Sequence, residues 1–240
     1  MRDIRLLCEG QPAVGEAVAL SDVSHHHALK VLRLRENDAV DVICGDGYFY
    51  HGEITCIDRK QTLVRVYSRS EHSTRPKTEV ILLPALLKGE PMDWVLQKSV
   101  ELGVRRVIPM NTERSERRIE GDRLTSKYEH WQGILQASAL QCGRAEWPLL
   151  SLPMNFIDAL KTIADEKWIL SPHDETTPAI KEMPSSIALM VGPEGGFSED
   201  EVQSAVHMGW KTHCFGSRIL RADTASVVAV VKAQLLLGAL

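Results

Sequence analysis

The sequence predicts an α/β protein built on a parallel sheet and preceded by a small all-β domain. Three observations carry this. From Glu79 onward, short apolar runs alternate with longer amphipathic stretches, the rhythm of strand-helix-strand units. Before about residue 72, alternating apolar and polar residues are broken by glycine-bearing turns, with one short helical interlude. Near the C-terminus two successive strands run directly into helix starts through glycine-bearing turns that carry ionisable groups. Such junctions belong at the carboxyl edge of an α/β sheet, where these folds bind ligands.

The first domain is placed at residues 1–72. Ala39–Ile43, Tyr48–Ile57 and Thr62–Tyr67 read as strands, and Gly45-Asp46-Gly47 is the hairpin signal between the first two. Ahead of them, Ser24 can cap a short helix that opens with His25-His26-His27. Three adjacent histidines on a helix point in different directions, so a metal site is not expected there. Lys30, Arg33 and Arg35, with Arg2 and Arg5, form a basic set that either touches phosphates or is a solvated face. Ser68–Thr78 is polar, holds one proline and lacks periodicity, which marks it as the linker.

The second domain, 73–240, opens with a buried parallel strand, Val80–Ala85. A helix over Glu90–Leu102 and a strand over Arg106–Met110 complete one strand-helix-strand unit. Glu113–Arg123 interleaves acids with arginines, a pattern that also fits a self-paired solvated surface. An amphipathic helix follows over 125–142, ended by Gly143 in the position that favours a left-handed backbone. Phe156–Ala164 reads as a helix and Lys167–Leu170 as a strand. His173 beside Asp174 lies in the loop beyond, where a solvated histidine is the plainer reading than acid/base chemistry.

The two junctions come last. Ile187–Val191 is a buried strand that enters Gly192-Pro193-Glu194-Gly195-Gly196, and Ser198 with Glu201 forms a capping box for the next helix. Three glycines around one proline mark close approach of the backbone either to a ligand or to a neighbouring loop. This is neither the dinucleotide fingerprint nor a P-loop, since the spacing is wrong and no Lys-Ser or Lys-Thr follows. Thr212–Phe215 is the second strand, followed by Gly216-Ser217-Arg218-Ile219-Leu220-Arg221. Asp223 or Thr224 then caps an apolar helix running to Leu237, whose apolar residues cover more than one face, so that it is buried on two sides.

Composition narrows the function. The formal net charge of −4 excludes nucleic-acid binding by bulk charge, so any such contact comes from local patches. No apolar run has the length of a membrane span, and the N-terminus lacks the apolar core of a signal peptide, so a cytoplasmic protein is expected. The five cysteines form no C-x-x-C pair and are expected to be reduced structural thiols.

Gly192–Gly196 together with Gly216–Ala225 resembles the ribosomal RNA small subunit methyltransferase E family, the uracil-N3 methyltransferases of 16S rRNA within the SPOUT superfamily. Lys88-Gly89 with Met92-Asp93, Gln97-Lys98, Glu101–Val104, Pro109, Arg114-Ser115, Trp131, Gln141, Gly143, Arg144 and Pro148 continue the likeness. Asp223 stands where the family usually has Glu, and Leu140 where an acidic residue is common.

The resemblance implies a SPOUT-type parallel sheet with a C-terminal trefoil knot, a PUA-like N-terminal β-barrel that binds RNA, and a homodimer whose active site is completed across the interface. It also implies S-adenosyl-L-methionine as cofactor and, as substrate, 16S rRNA or the assembled small ribosomal subunit, methylated at the family's position 1498. On this reading Leu170, Gly192, Glu194, Gly195, Gly196, Phe215, Gly216, Ile219 and Leu220 hold the cofactor. Arg218 or Arg221 would stabilise the uracil anion, and Glu194 or Asp223 would take its proton. Arg5, Lys30, Arg33, Arg35, Arg114 and Arg144 would meet RNA. A plainer role for Arg221 and Glu194 is to pair and brace two loops. Ribose 2′-O-methylation, or a non-catalytic rRNA-binding assembly factor, are the competing functions.

Overall fold

The computed structural model describes residues 4–71, 78–115, 119, 121–171 and 183–239. Arg2, His173 and Asp174 fall outside them, as do parts of the linker and of Glu113–Arg123. The chain folds into two compact units, Met1–Thr74 with Gln136–Trp147, and Arg75–Leu135 with Pro148–Leu240.

The first unit holds β1 (Arg5–Leu7), β2 (Ala17–Ala19), α1 (Asp22–His26), β3 (Ala39–Ile43), β4 (Tyr48–Ile57) and β5 (Thr62–Glu71). The strands pair in the order β1-β3-β4-β5-β2. Cys8 bridges to Leu20, and Glu9 N–H donates to the Ala19 carbonyl at 2.8 Å, so the two edge strands meet and the sheet closes on itself. Closure leaves no exposed edge. Leu6, Val40, Val42, Tyr50, Ile54, Val64 and Val66 fill the interior.

Ser24 does not cap α1. Ser21 caps it, and Ser24 is buried, its hydroxyl accepting from Leu7 N–H at 2.8 Å. The helix therefore begins one turn earlier and continues as a π-helical stretch, His27–Leu32, that ends at Arg33 in the left-handed region. β5 runs to Glu71, into the segment read as linker, because it pairs with β4 along its whole length.

The second unit holds β6 (Glu79–Pro84), α2 (Glu90–Glu101), β7 (Arg106–Val107), β8 (Met110–Asn111), α3 (Asp122–Cys142), β9 (Leu149–Leu150), β10 (Met154–Asn155), α4 (Phe156–Ala159), β11 (Glu166–Leu170), β12 (Ser186–Val191), α5 (Glu199–His207), β13 (Lys211–His213) and α6 (Ala222–Leu236); the last turns of α3 count with the first unit. Six strands form one sheet in the order β13-β11-β12-β6-β7-β9, parallel at every pairing.

Central strands β12 and β6 are buried on both faces, as crossover topology requires. Ile81, Leu83, Ile169, Ala188 and Met190 pack with Phe156, Leu160, Ala205 and Trp210 on one side, and α6 packs on β6, β12 and α2. No helix among the described residues is long and apolar enough to cross a membrane.

Several boundaries depart from expectation. Arg106–Met110 splits into β7 and β8, since Pro109 offers no N–H to the ladder and its carbonyl instead accepts from Met154. α4 stops at Ala159 rather than Ala164: Thr162 and Ile163 are β-branched, and Ile163 is 88% exposed, so no burial offsets their poor helix propensity. β13 ends at His213, two residues early. Arg221, without a side-chain bond, occupies the cap of α6, which places Asp223 inside its first turn.

Candidate active site

The carboxyl ends of β6, β11, β12 and β13 open on one cleft of about 980 Å³ in the second unit. Leu87 follows β6, Leu170 and Ser171 end β11, Val191 to Gly196 follow β12, and His213 to Phe215 end β13; all line the cleft. Arg218, Ile219, Leu220, Arg221 and Asp223 complete its wall. Loops that follow parallel strands gather at one sheet edge because the strands all point the same way.

The glycine turn is shaped by close backbone approach. A Cβ on Gly192 would meet the Gly196 carbonyl carbon and the Phe197 ring at 3.2 Å, and Gly196 has φ +68°. The capping box is present in full: Ser198 Oγ accepts from Glu201 N–H, and Glu201 Oε2 accepts from Ser198 N–H at 2.9 Å. Glu201 Oε1 also accepts from Glu113 N–H at 2.8 Å, which fixes the loop after β8 against α5. The next residue, Arg114, donates from its guanidinium to the Gly195 carbonyl at 2.9 Å. Arg114 is thus a wall of the cleft.

His213 was not singled out by sequence. It is 1% exposed, stacks on Trp168 with centroids 4.5 Å apart and meets the Phe215 ring edge-on. Lys232 Nζ donates to His213 Nε2 at 2.8 Å, so the imidazole is neutral and carries its hydrogen on Nδ1. Burial, and secondarily the Lys232 charge, push the ring down to about 4; burial also lowers Lys232. Nδ1 is buried and has no partner among the described residues. An unsatisfied donor in a cleft wall is the kind of group a bound ligand satisfies.

Comparison with known proteins gives the arrangement a family. An RNA methyltransferase domain matches residues 74–234, and an RNA methyltransferase PUA domain matches residues 25–67. The ribosomal RNA small subunit methyltransferase E of Buchnera aphidicola is 28% identical over 237 residues, 98% of this chain and 94% of that protein. This chain belongs to the ribosomal RNA small subunit methyltransferase E family. Among solved structures, a methyltransferase of Legionella pneumophila holding S-adenosylmethionine is 31% identical, with a TM-score of 0.91 and 98% of each chain covered. A methyltransferase E of Neisseria gonorrhoeae bound to the same molecule is 29% identical, with a TM-score of 0.87 and 98% of each chain covered.

Of the residues that the methyltransferase E resemblance assigned, the structure brings most into one cleft. Leu170, Gly192, Glu194, Gly195, Gly196, Phe215, Ile219 and Leu220 line it, as do Arg218, Arg221 and Asp223, whereas Gly216 does not. Ile219 is 80% exposed at the cleft. No ion pair joins Arg221 to Glu194 among the described residues, so the bracing pair is not formed there. Asp223 Oδ1 accepts from Thr224 N–H at 2.6 Å. Leu87, Pro91, Ser171, His213 and Cys214 also line the cleft and were missed; for Leu87 and Ser171 the one sequence signal is position just after an apolar strand.

Arg114, expected to meet RNA, stands in the cleft wall. Arg144, expected to meet RNA, is buried in the first unit. In the first unit, Lys30, Arg33 and Arg35 are exposed beside the exposed apolar side chains Val31 and Leu32. Arg5 lies over the Phe49 ring at 5.3 Å and beside Gly143, a structural setting rather than an open surface. His25 Nδ1 is bonded to Thr62 Oγ1 at 2.8 Å, while His26 and His27 face solvent.

Proposed function

We propose that this chain transfers a methyl group from S-adenosyl-L-methionine to N3 of a uridine in the rRNA of the small ribosomal subunit. The observation that carries the reading is the convergence of four strand ends on one cleft, with a glycine turn on one side and three arginines (Arg114, Arg218, Arg221) and three carboxylates (Glu194, Glu199, Asp223) around it. The residues present fit the cofactor: Leu87, Leu170, Ile219 and Leu220 offer apolar faces to a base ring, and the glycine turn offers backbone groups at close range. When bound, S-adenosylmethionine supplies a methyl group already attached to a good leaving group, so no covalent enzyme intermediate is required.

The chain's own task is then to place uracil and to handle its proton. The N3 anion spreads charge over O2 and O4, and an arginine fork that never gives up its own proton can hold it. Arg218 and Arg221 are exposed around the cleft and available for this. Glu194, also exposed, is the better placed proton acceptor, since one oxygen of Asp223 is held by Thr224. Orienting the two reactants supplies much of the rate, up to about 7 to 11 kcal/mol in well-aligned systems.

The first unit contributes RNA contact through Lys30, Arg33 and Arg35, whose charges neutralise phosphates while Val31 and Leu32 lie beside them. The parallel order β13-β11-β12-β6 is compatible with a trefoil knot closed by β13 and α6. A homodimer is part of the proposal, supported by Leu235 and Leu236 of α6, which are 59% and 38% exposed.

Incubation of small ribosomal subunits from cells lacking the protein with methyl-labelled cofactor, followed by nucleoside mass spectrometry, tests the reading. Label in N3-methyluridine is expected. Label in a 2′-O-methylated nucleoside would place the chain with the ribose methyltransferases, and no label at all would favour a non-catalytic binding factor.

A further inference from the structure

The first unit contains a second cavity, of about 510 Å³, lined by Cys8, Gly10, Gln11, Cys44, Asp46, Gln136 and Trp147 among others. β1 and β3 run parallel with Leu7 registered on Ile43, so the residues that follow, Cys8 and Cys44, stand side by side at the strand ends. Neighbouring strands lie about 4.8 Å apart, inside the roughly 4.4 to 6.8 Å separation that a disulfide spans. Cys8 N–H donates to the Ile43 carbonyl at 3.1 Å, which holds this register one residue beyond β1. Cys8 Sγ donates to the Ile43 carbonyl at 3.5 Å, and both cysteines are half-buried.

The pair is electrically unequal. The neighbouring Cys8 thiol draws Cys44 below the ordinary thiol value, while Cys44, together with burial, pushes Cys8 far above it. One sulfur is thereby readied as a nucleophile and the other kept protonated beside it. Asp46 is pinned next to them, accepting from Tyr48 N–H at 3.1 Å and from the Tyr50 hydroxyl at 2.5 Å.

We propose that Cys8 and Cys44 are a redox-active dithiol, which small disulfides of the oxidised-glutathione class convert to an intramolecular disulfide. Cys44 Sγ gives its proton to solvent and, as the thiolate, attacks one sulfur of the small disulfide. A mixed disulfide forms on Cys44, and the other half leaves as a thiolate that takes a proton from solvent. Cys8 Sγ then attacks Cys44 Sγ, its proton passes to the second small thiolate, and the Cys8–Cys44 bond closes. Two electrons move from the protein to the small disulfide, which ends as two thiols.

Exposure of the folded chain to oxidised glutathione, followed by acid quench, alkylation and peptide mass mapping, tests this without reference to methyl transfer. The wild-type chain is expected to yield a cross-linked peptide joining positions 8 and 44 that dithiothreitol reverses. Cys8→Ser is expected to stop with glutathione on Cys44, and Cys44→Ser to react at Cys8 at least about tenfold more slowly than the wild-type chain forms its bridge. Recovery of both residues unmodified from the wild-type chain, while the exposed Cys142 takes up glutathione, overturns the proposal whether or not the variants fold.

Discussion

At the scale of single residues, the account separates holding the methyl donor from handling the uracil. Arg221 caps α6 without a side-chain bond and lines the cleft, so its removal leaves the fold of the helix untouched. Arg221→Ala is expected to lower methyl incorporation by about 10² to 10³, the usual cost of one preorganised charge-stabilising group. Calorimetry should meanwhile show cofactor affinity within a few-fold of wild type; equal loss in both assays would assign Arg221 to the cofactor instead.

His213 makes a different prediction. Its ring titrates near 4 in the folded chain against 6.5 ordinarily, so between those values the unfolded chain binds a proton that the folded chain does not. Its contribution to stability is intact above pH 6.5 and is lost as the pH falls towards 4. Thermal melts across that range should show a decline that His213→Phe makes shallower. Neither His213 nor Lys232 was legible in sequence. Their pairing joins two elements nineteen positions apart, and a histidine ending a short strand looks like any other.

At the scale of elements, what was legible was local. The capping box of α5, the glycine after α3 and the apolar strands β6, β11 and β12 all follow from spacing within a few residues, and each is where that spacing put it. What failed to show was the long-range half of the same groups. Glu201 reads as a cap for Ser198, yet its other oxygen holds Glu113 N–H, 88 positions away, and so sets Arg114 against Gly195.

Glu201→Ala should therefore cost more than a lost cap, about 2 kcal/mol in urea melts, because the part-buried Glu113 N–H loses its partner as well. Methyl transfer should fall with it as Arg114 drifts. A loss of no more than about 1 kcal/mol with full activity would mean that the Glu113 bond does not position the loop. Ser24 shows the converse error: a hydroxyl read as a cap from its neighbours is taken by Leu7, 17 positions away.

At the scale of the whole molecule, the texture of the sequence changes near residue 72, and the first unit's N-terminal part runs to Thr74. The membership of Gln136–Trp147 in the first unit was not legible in the sequence, since that segment begins inside α3 without any break in composition. The net charge of −4 confines RNA attraction to patches, and the first unit has one in Lys30, Arg33 and Arg35. Replacing all three by Ala should reduce the slope of log affinity for single-stranded rRNA against log salt by about 2, from about 0.7 per phosphate contact. An unchanged slope would show that the patch is a solvated face.

The claim on which the rest depends is that the edge formed by β6, β11, β12 and β13 is a pocket for the methyl donor. Titration calorimetry of S-adenosylmethionine into the wild-type chain and into Gly192→Val tests it most directly, because a side chain at Gly192 runs into the Gly196 backbone at 3.2 Å and closes the turn. The account predicts saturable binding to the wild-type chain and its loss in a variant that still melts cooperatively. No binding to the wild-type chain, or undiminished binding to the folded variant, would contradict it.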